Sequence, residues 1–354
     1  MSEHGPQSDT TDLRTQLRRL ERRATRRRGQ VERLRAQVGI LSDEVRSPLE
    51  RTVGESSDPE LSGGIPSYSL AARLHRRANT TDVNVSEGVR EPILQLYPKL
   101  PAQRFAALHG VPVPRVLGQW SDPDAIDWDS LPDRFVLKSN VGGGGMNVFP
   151  LARNPRTGTY TDLLVEEPTT RADVTEVLWA RHEDRSLYFA EEFLVSRTGD
   201  ADAVPSDVKV FCFYGEAVYV EVRRGDQSRA KEVTSRARSY TAEGAELVNV
   251  RALIDPGEGD IDALDDLRGV VEAAARLSAA IRRPLERLDF FETDRGLVFG
   301  EVTQNPGHLP ALVPEWDRRL GEAYERAYAR LLRDLAAEDA LHVDFGIAAP
   351  DAPP

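Results

Sequence analysis

The chain has 354 residues, 40% apolar and 29% charged, an ordinary globular composition long enough for two or three packed subdomains. A net charge of −12 argues against a nucleic-acid enzyme, whose body is usually basic, and one cysteine excludes an intramolecular disulfide framework or a multi-cysteine zinc site. No run of 18 apolar residues occurs and the N-terminus is polar, so neither a membrane span nor a signal peptide is expected and a cytoplasmic protein is the default.

The charge is unevenly spread: residues 1–51 hold 12 arginines against 8 acids, a balance of +4 that leaves −16 for the rest. Residues 1–9 read as disordered. From Leu13 the apolar positions step by four and three through Leu17, Leu20, Ala24, Val31, Leu34, Val38, Leu41 and Val45, with Arg27 the polar member of the seam. Such a heptad pattern predicts an Arg-rich coiled coil over 10–47 that forms a homo-oligomer; an amphipathic helix folded on the body is the alternative. Its surplus arginines could meet an anionic polymer, a membrane surface or an acidic partner, although a solvated face accounts for most of them. Ser, Gly, Pro and acids make 48–66 a linker.

In the body, Pro101–His109 reads as a helix and Arg115–Gly118 as a short strand. Arg134–Ser139 is a strand that delivers Lys138 to Gly142-Gly143-Gly144-Gly145, with Met146–Leu151 a second strand beyond. A lysine and Ser139 at the mouth of a four-glycine loop is a way to hold a polyphosphate. The lysine is also rare, since Lys99, Lys138, Lys209 and Lys231 are the only four among 46 basic residues. A compact ammonium on a flexible stem is not replaced by a guanidinium at a tight phosphate site.

Thr169–Arg181 is expected to be helical and Ser186–Val195 a strand in which Glu191 and Glu192 interrupt an apolar run. One of the two must face a cleft or the interior, where a ribose or an adenine amino group offers donors. Val208–Phe213 and Ala217–Arg223 form a hairpin; Lys209 within it reaches a phosphate or faces solvent. Phe211-Cys212-Phe213 reads as strand, which makes Cys212 a small core residue. Asp262–Ile281 is an amphipathic helix with Leu264, Leu267, Val271, Ala274 and Leu277 or Ser278 inside, and Arg319–Ala336 a closing helix. Strands and helices in this order predict an α+β fold with mostly antiparallel sheets.

Between those helices, Arg287–Thr293 and Leu297–Thr303 form a second hairpin about Asp294-Arg295-Gly296, whose last position needs the positive φ that glycine supplies. With Thr293 opposite Leu297, Asp289 lies opposite Glu301 and Arg287 opposite Thr303, all on one face. Leu288, Phe290, Val298 and Val302 take the other. Opposed carboxylates repel, so this face calls for a cation, and an oxygen-ligated Mg²⁺ completed by substrate phosphates is the natural candidate; neutralisation by arginines is the alternative. Arg287 on the same face could clamp a transferring phosphate or an oxyanion. No Walker-type loop, dinucleotide fingerprint or nucleophile elbow occurs, and the six histidines show no metal spacing.

In order and spacing these pieces resemble the TupA-like branch of the ATP-grasp enzymes, named for teichuronopeptide biosynthesis. The matching strings are KLPAQRFAALHGVPVPRVLGQW, DAIDWDSLPDRFVLKSN with GGGG, LYFAEEFL, DVKVFCFYGEAVYVEV and ERLDFFETDRGLVFGEVTQNPG, spanning about residues 97 to 310. The resemblance implies an ATP-grasp fold of two α+β subdomains around an ATP cleft: a pre-ATP-grasp region at 67–130, a small lid subdomain at 131–195, a C-terminal subdomain with the metal site at 196–340, and a tail at 341–354. It implies that Lys138 and the glycine loop close over the phosphates, that Glu191, Glu192, Phe193 and Leu194 line the adenosine, and that Lys209 faces the nucleotide or its phosphates. Asp289 and Glu301 would hold Mg²⁺ with Thr303 where many relatives carry Asn, and Arg287 would stabilise an acyl phosphate and a tetrahedral adduct. Val141 stands where the branch tends to have His. The implied activity is an ATP-dependent carboxylate–amine ligase in cell-envelope polymer or peptide-type biosynthesis; transfer of phosphate to a hydroxyl, or a non-catalytic scaffold, are the alternatives.

Overall fold

The computed structural model describes residues 68–89, 92–142, 147–180, 182, 186–199, 203–223, 237–248, 250, 264–306 and 312–338. The expected coiled coil, linker and tail lie outside these, as do Gly143, Gly144, Gly145 and Lys231. All the described strands lie in one contact unit, Ser67–Leu178 with Glu183–Pro354.

One sheet contains β1 (Val116–Trp120), β2 (Arg134–Ser139), β3 (Val148–Arg153), β4 (Tyr160–Asp162), β5 (Glu167–Thr169) and β6 (Tyr188–Glu192), in the order β1, β6, β2, β3, β4, β5. The other contains β7 (Ser206–Cys212), β8 (Ala217–Arg223), β9 (Ala237–Thr241), β10 (Glu246–Leu247), β11 (Glu286–Thr293) and β12 (Gly296–Thr303), in the order β10, β9, β8, β7, β11, β12. Every pairing is antiparallel. The helices are α1 (Leu70–Ser86), α2 (Lys99–Leu108), α3 (Arg171–Trp179), α4 (Leu267–Ile281) and α5 (Pro314–Ala337). The α+β expectation holds, and β2 has the predicted bounds. Helix α1 and strands β4, β5, β9 and β10 carry no clear periodicity, being short or rich in Thr, Asn and Glu, and the sequence does not reveal them. Among the described residues no helix is long and apolar enough to cross a membrane.

Alternation along the strands sets the core. In the first sheet Phe135, Leu137, Phe149 and Leu151 pack with Trp128 and with Leu178 of α3. In the second sheet Val208, Val210, Val220, Val222, Leu288 and Phe290 face Val270, Ala274 and Leu277 of α4 and Ala102 and Ala106 of α2. The opposite face is divided. At one end Phe211, Phe213 and Tyr219 pack against α1 and α5; towards the other, Lys209, Glu221, Asp289 and Glu301 occupy the same face. Gly321 lets α5 approach the chain before α1, since a Cβ there would lie 1.3 Å from the Tyr68 carbonyl oxygen.

Helix α1 is also held by charge. Arg77 donates to the Leu285 carbonyl at 3.0 Å and to the Glu286 carboxylate at 3.1 Å. Glu286 is fully buried, and burial raises its carboxyl from 4.5 to about 7 against the opposing pull of Arg77 and Arg283. A carboxyl whose folded pKa is raised contributes stability below its unfolded value and loses that contribution as the pH rises through the folded one. Melting curves from pH 5 to 8 should therefore show a decline in wild-type stability that flattens in Glu286→Gln; equal slopes would discount the buried carboxyl as its source.

Candidate active site

The β11–β12 hairpin places Arg287 opposite Thr303 and Asp289 opposite Glu301, as expected, but by a different route. Near the turn Thr293 pairs with Gly296 and Glu292 with Leu297, one residue short of the expected register. A bulge at Gly300 restores it before Glu301. Gly296 has the anticipated positive φ of 91°. The bulge moves Phe299 onto the core face against Phe290, and Val298, expected there, instead falls opposite Phe291 on the site face. A Cβ on residue 300 would sit 3.0 Å from the Phe291 ring and 3.2 Å from the Asp289 carbonyl oxygen, so the bulge favours glycine.

Asp289 is buried and neutralised on two sides. Arg287 makes a two-pronged contact, Nε to Oδ1 and Nη2 to Oδ2, both 2.7 Å, and its Nη2 also donates to Thr303 Oγ1 at 2.9 Å. From β7, Lys209 donates to Asp289 Oδ2 at 3.1 Å and pairs with Asp207. Burial alone would raise the Asp289 carboxyl, but Arg287 and Lys209 override it and hold the group at about 2. Of the two expectations for Lys209, solvent exposure does not hold: it is 7% exposed and lies against Asp289. Glu301 is less committed. Its side chain is 30% exposed and its ion pair with Lys99 is 3.8 Å long. Partial burial and the neighbouring Asp289 raise its carboxyl, against Lys99, Lys209 and Arg287. The polar row continues across β8, where buried Glu221 lies opposite Lys209, takes the Tyr219 hydroxyl at 2.7 Å and pairs with Arg223.

The first sheet supplies a second wall. Lys138 on β2 is buried and paired with Glu191 on β6, directly across the sheet from Val136. Its ammonium lies 5.7 Å from the centroid of Phe291, so the two walls meet there. Of the adjacent acids only Glu191 enters the site. Glu192 points away, accepting from the Arg115 backbone N–H and from Arg295, both at 2.9 Å. The expected strand to Val195 stops at Glu192 because the chain then turns to the hairpin tip, with Asp294 N–H donating to the Val195 carbonyl at 3.2 Å. Phe193 is half-buried and Leu194 buried beyond the strand end. Ser139 is buried and its N–H is spent on the Asn147 carbonyl.

Helix α2 contributes two residues the sequence did not assign. Asn140 caps it by accepting the Lys99 N–H on its carbonyl (2.8 Å) and the Leu100 N–H on Oδ1 (2.9 Å). Lys99 then points inward, donating to the Gly142 carbonyl at 2.6 Å, where Gly142 has φ +105°. Burial lowers its ammonium pKa against the pull of Glu301. One turn on, Gln103 donates to Glu191 Oε2 at 3.1 Å. The rarity of lysine is a signal that would have found Lys99: the three described lysines all converge here. Gln103 has no such signal. Val141, at the rim, is 41% exposed.

Lys99, Lys138, Lys209 and Arg287 therefore face Glu191, Asp207, Asp289 and Glu301. No cluster of three or more His, Cys, Asp or Glu side chains among the described residues is arranged to hold a metal alone. Asp289, Glu301 and Thr303 nevertheless form a hard oxygen donor set of the kind Mg²⁺ takes when phosphate oxygens complete its shell. Glu301, with its long ion pair, is the readier donor.

A family model described as TupA-like ATPgrasp matches residues 83–325. No curated protein matches. Among solved structures, the chain is similar to the ATP-grasp ligase PsnB complexed with a minimal precursor (15% identity, 66% of this chain and 61% of that one, TM-score 0.37). It is also similar to a D-alanine–D-alanine ligase from Bacillus anthracis (14%, 68% and 69%, TM-score 0.42) and to the VanG D-Ala:D-Ser ligase from Enterococcus faecalis (14%, 67% and 62%, TM-score 0.42). The chain thus spans less than two thirds of the PsnB and VanG structures.

The two opposed carboxylates should behave differently on truncation. Asp289→Ala strands a buried guanidinium and ammonium and should cost roughly 3–5 kcal/mol, whereas Glu301→Gln, at a partly exposed and loosely paired side chain, should cost about 1 kcal/mol or less. Urea unfolding of both variants checks this, and equal losses would contradict the asymmetry.

Proposed function

The chain belongs to the TupA-like ATP-grasp family, and from that premise we propose that it is an ATP-dependent carboxylate–amine ligase working through an acyl phosphate. The observation that supports this best is the convergence of Lys99, Lys209 and Arg287 on the opposed carboxylates Asp289 and Glu301, with Lys138 of the other sheet paired to Glu191. The cations are neutralised by Glu191, Asp207, Asp289 and Glu301. A triphosphate brings its own negative charge, so binding exchanges carboxylate partners for phosphate oxygens with little change in the number of charge contacts.

In this reading Lys138, Ser139 and the loop from Gly142 to Gly145 hold the phosphates, with Lys99 tied to that loop. Glu191, Phe193 and Leu194 line the adenosine. Asp289, Glu301 and Thr303 offer the oxygens for Mg²⁺, which when bound neutralises charge on the transferring phosphoryl group. Arg287, locked in place by Asp289 and Thr303, stabilises the developing charge on the acyl phosphate and on the tetrahedral adduct formed as the amine attacks; Lys209 supports it from β7. Phosphate then leaves and the amide remains. No protein nucleophile is required. Residues 131–195 would act as the lid, 196–340 would carry the cation site, and 10–47 would join copies of the chain, in a polymer or peptide-type biosynthesis.

Mg²⁺ with ATP at about 100 times its Kd should add about 2.7 kcal/mol, a rise in Tm of roughly 5–10 °C for a body of this size. ATP, Mg²⁺ and a pool of carboxylates with hydroxylamine as the amine should yield ADP and hydroxamate, and Lys138→Met or Glu301→Gln should lower that rate by about 100-fold or more. Phosphoester in place of amide would identify a hydroxyl phosphotransferase. Melting that ignores Mg-ATP would overturn the nucleotide site itself.

A further inference from the structure

Gln103 is 3% exposed, and its two amide ends have different fates. Nε2 donates to Glu191 Oε2 at 3.1 Å, while Oε1 is buried with no hydrogen-bond partner among the described residues. Reversing the amide would set a carbonyl against a carboxylate, so the orientation is settled by its neighbour. A buried amide carbonyl without a donor costs about 1–3 kcal/mol, and such a group in a native structure calls for a missing partner. Oxygen and nitrogen of one amide are adjacent, so a donor that reaches Oε1 arrives beside Glu191. Lys138 already takes the other Glu191 oxygen, but a carboxylate has about four acceptor sites and can receive one more N–H. Two buried acceptors, Gln103 Oε1 and the Glu191 carboxylate, therefore lie close together where α2 meets β6.

A primary amine on a purine ring brings two N–H donors fixed at one atom, which matches two adjacent acceptors; a ring carbonyl at that place would bring lone pairs against lone pairs. We propose that Gln103 is a specificity-determining residue for the nucleobase, positioning Glu191 through its N–H and accepting one N–H of a purine 6-amino group through Oε1, while Glu191 accepts the other. The proposal rests on the ATP reading of this site. It places part of base selection on α2, the helix whose other inward residue, Lys99, holds the glycine loop at Gly142 and approaches Glu301. Base recognition and phosphate contact are thereby borne by one rigid turn of helix.

The test is calorimetric titration of the full-length protein with ATP and with ITP, its 6-oxo counterpart, both with Mg²⁺. Wild type should bind ATP at least about 10-fold more tightly than ITP. Gln103→Met, of similar length and without polar atoms, should lose most of that ratio by weakening ATP, leaving ITP within about 3-fold. Gln103→Glu, of the same shape, is the second variant: carboxylate against carboxylate should weaken ATP at pH 8, with partial recovery at pH 6 as the pair takes up a proton that donates as the amide did. An unchanged ATP:ITP ratio in a folded variant, even with a lowered Tm, marks a purely structural glutamine and overturns the inference. So does a wild type indifferent to the base. A wild type that binds neither nucleotide removes the ATP reading as well.

Discussion

The neutralisation of buried Asp289 by Arg287 and Lys209 is the interaction on which the rest of the site depends. A carboxylate in the interior is tolerated only when paired and hydrogen-bonded, and here the partners come from its own strand and from the neighbouring one. Because Arg287 and Asp289 are two residues apart, they share a face and meet in a two-pronged contact without any turn of the chain. That contact immobilises the guanidinium and brings it to Thr303. Lys209, held from the next strand, is fixed by the same carboxylate. One buried acid thus orients two cations, and Glu301 beside it has, among the described residues, one long ion pair and partial exposure.

The second dependency is helix α2. Its N-terminus is capped by Asn140, the residue that follows β2, so the strand carrying Lys138 and the helix carrying Lys99 and Gln103 are joined by hydrogen bonds at their ends. Ala102 and Ala106 pack into the core of the second sheet while Gln103 grips Glu191 of the first. The helix therefore ties both walls to one rigid element. The result is a charge-compensated interior in which Lys99, Lys138, Lys209 and Arg287 each hold a carboxylate, the condition under which buried charge is tolerated.

Much of this was legible in the sequence at the level of single strands. The facing of Asp289 to Glu301 and of Arg287 to Thr303 follows from alternation and a turn, and the structure has both pairs. The route differs, since the turn is one residue tighter and Gly300 bulges to compensate; a bulge has no periodic signature, and the crowding of Phe291 that demands glycine at 300 arises between strands. The two acids at 191 and 192 were equivalent in the sequence. Which one enters the site was decided by Arg115 and Arg295, residues far away along the chain that claim Glu192.

What depends on neighbours within a few residues can be read from the residues alone: which side chains share a strand face, where a glycine must turn the chain, and how scarce lysine is in an arginine-rich chain. Its order of motifs was also enough for the family. Only the tertiary structure decided which of those faces meet. Lys99 and Gln103 lie on a helix whose periodicity speaks of its apolar stripe and says nothing of what its polar residues touch, because that is set by packing against β12 and β6. Side-chain period is a property of the local backbone, whereas the pairing of buried charges belongs to surfaces brought together from 40 to 200 residues apart.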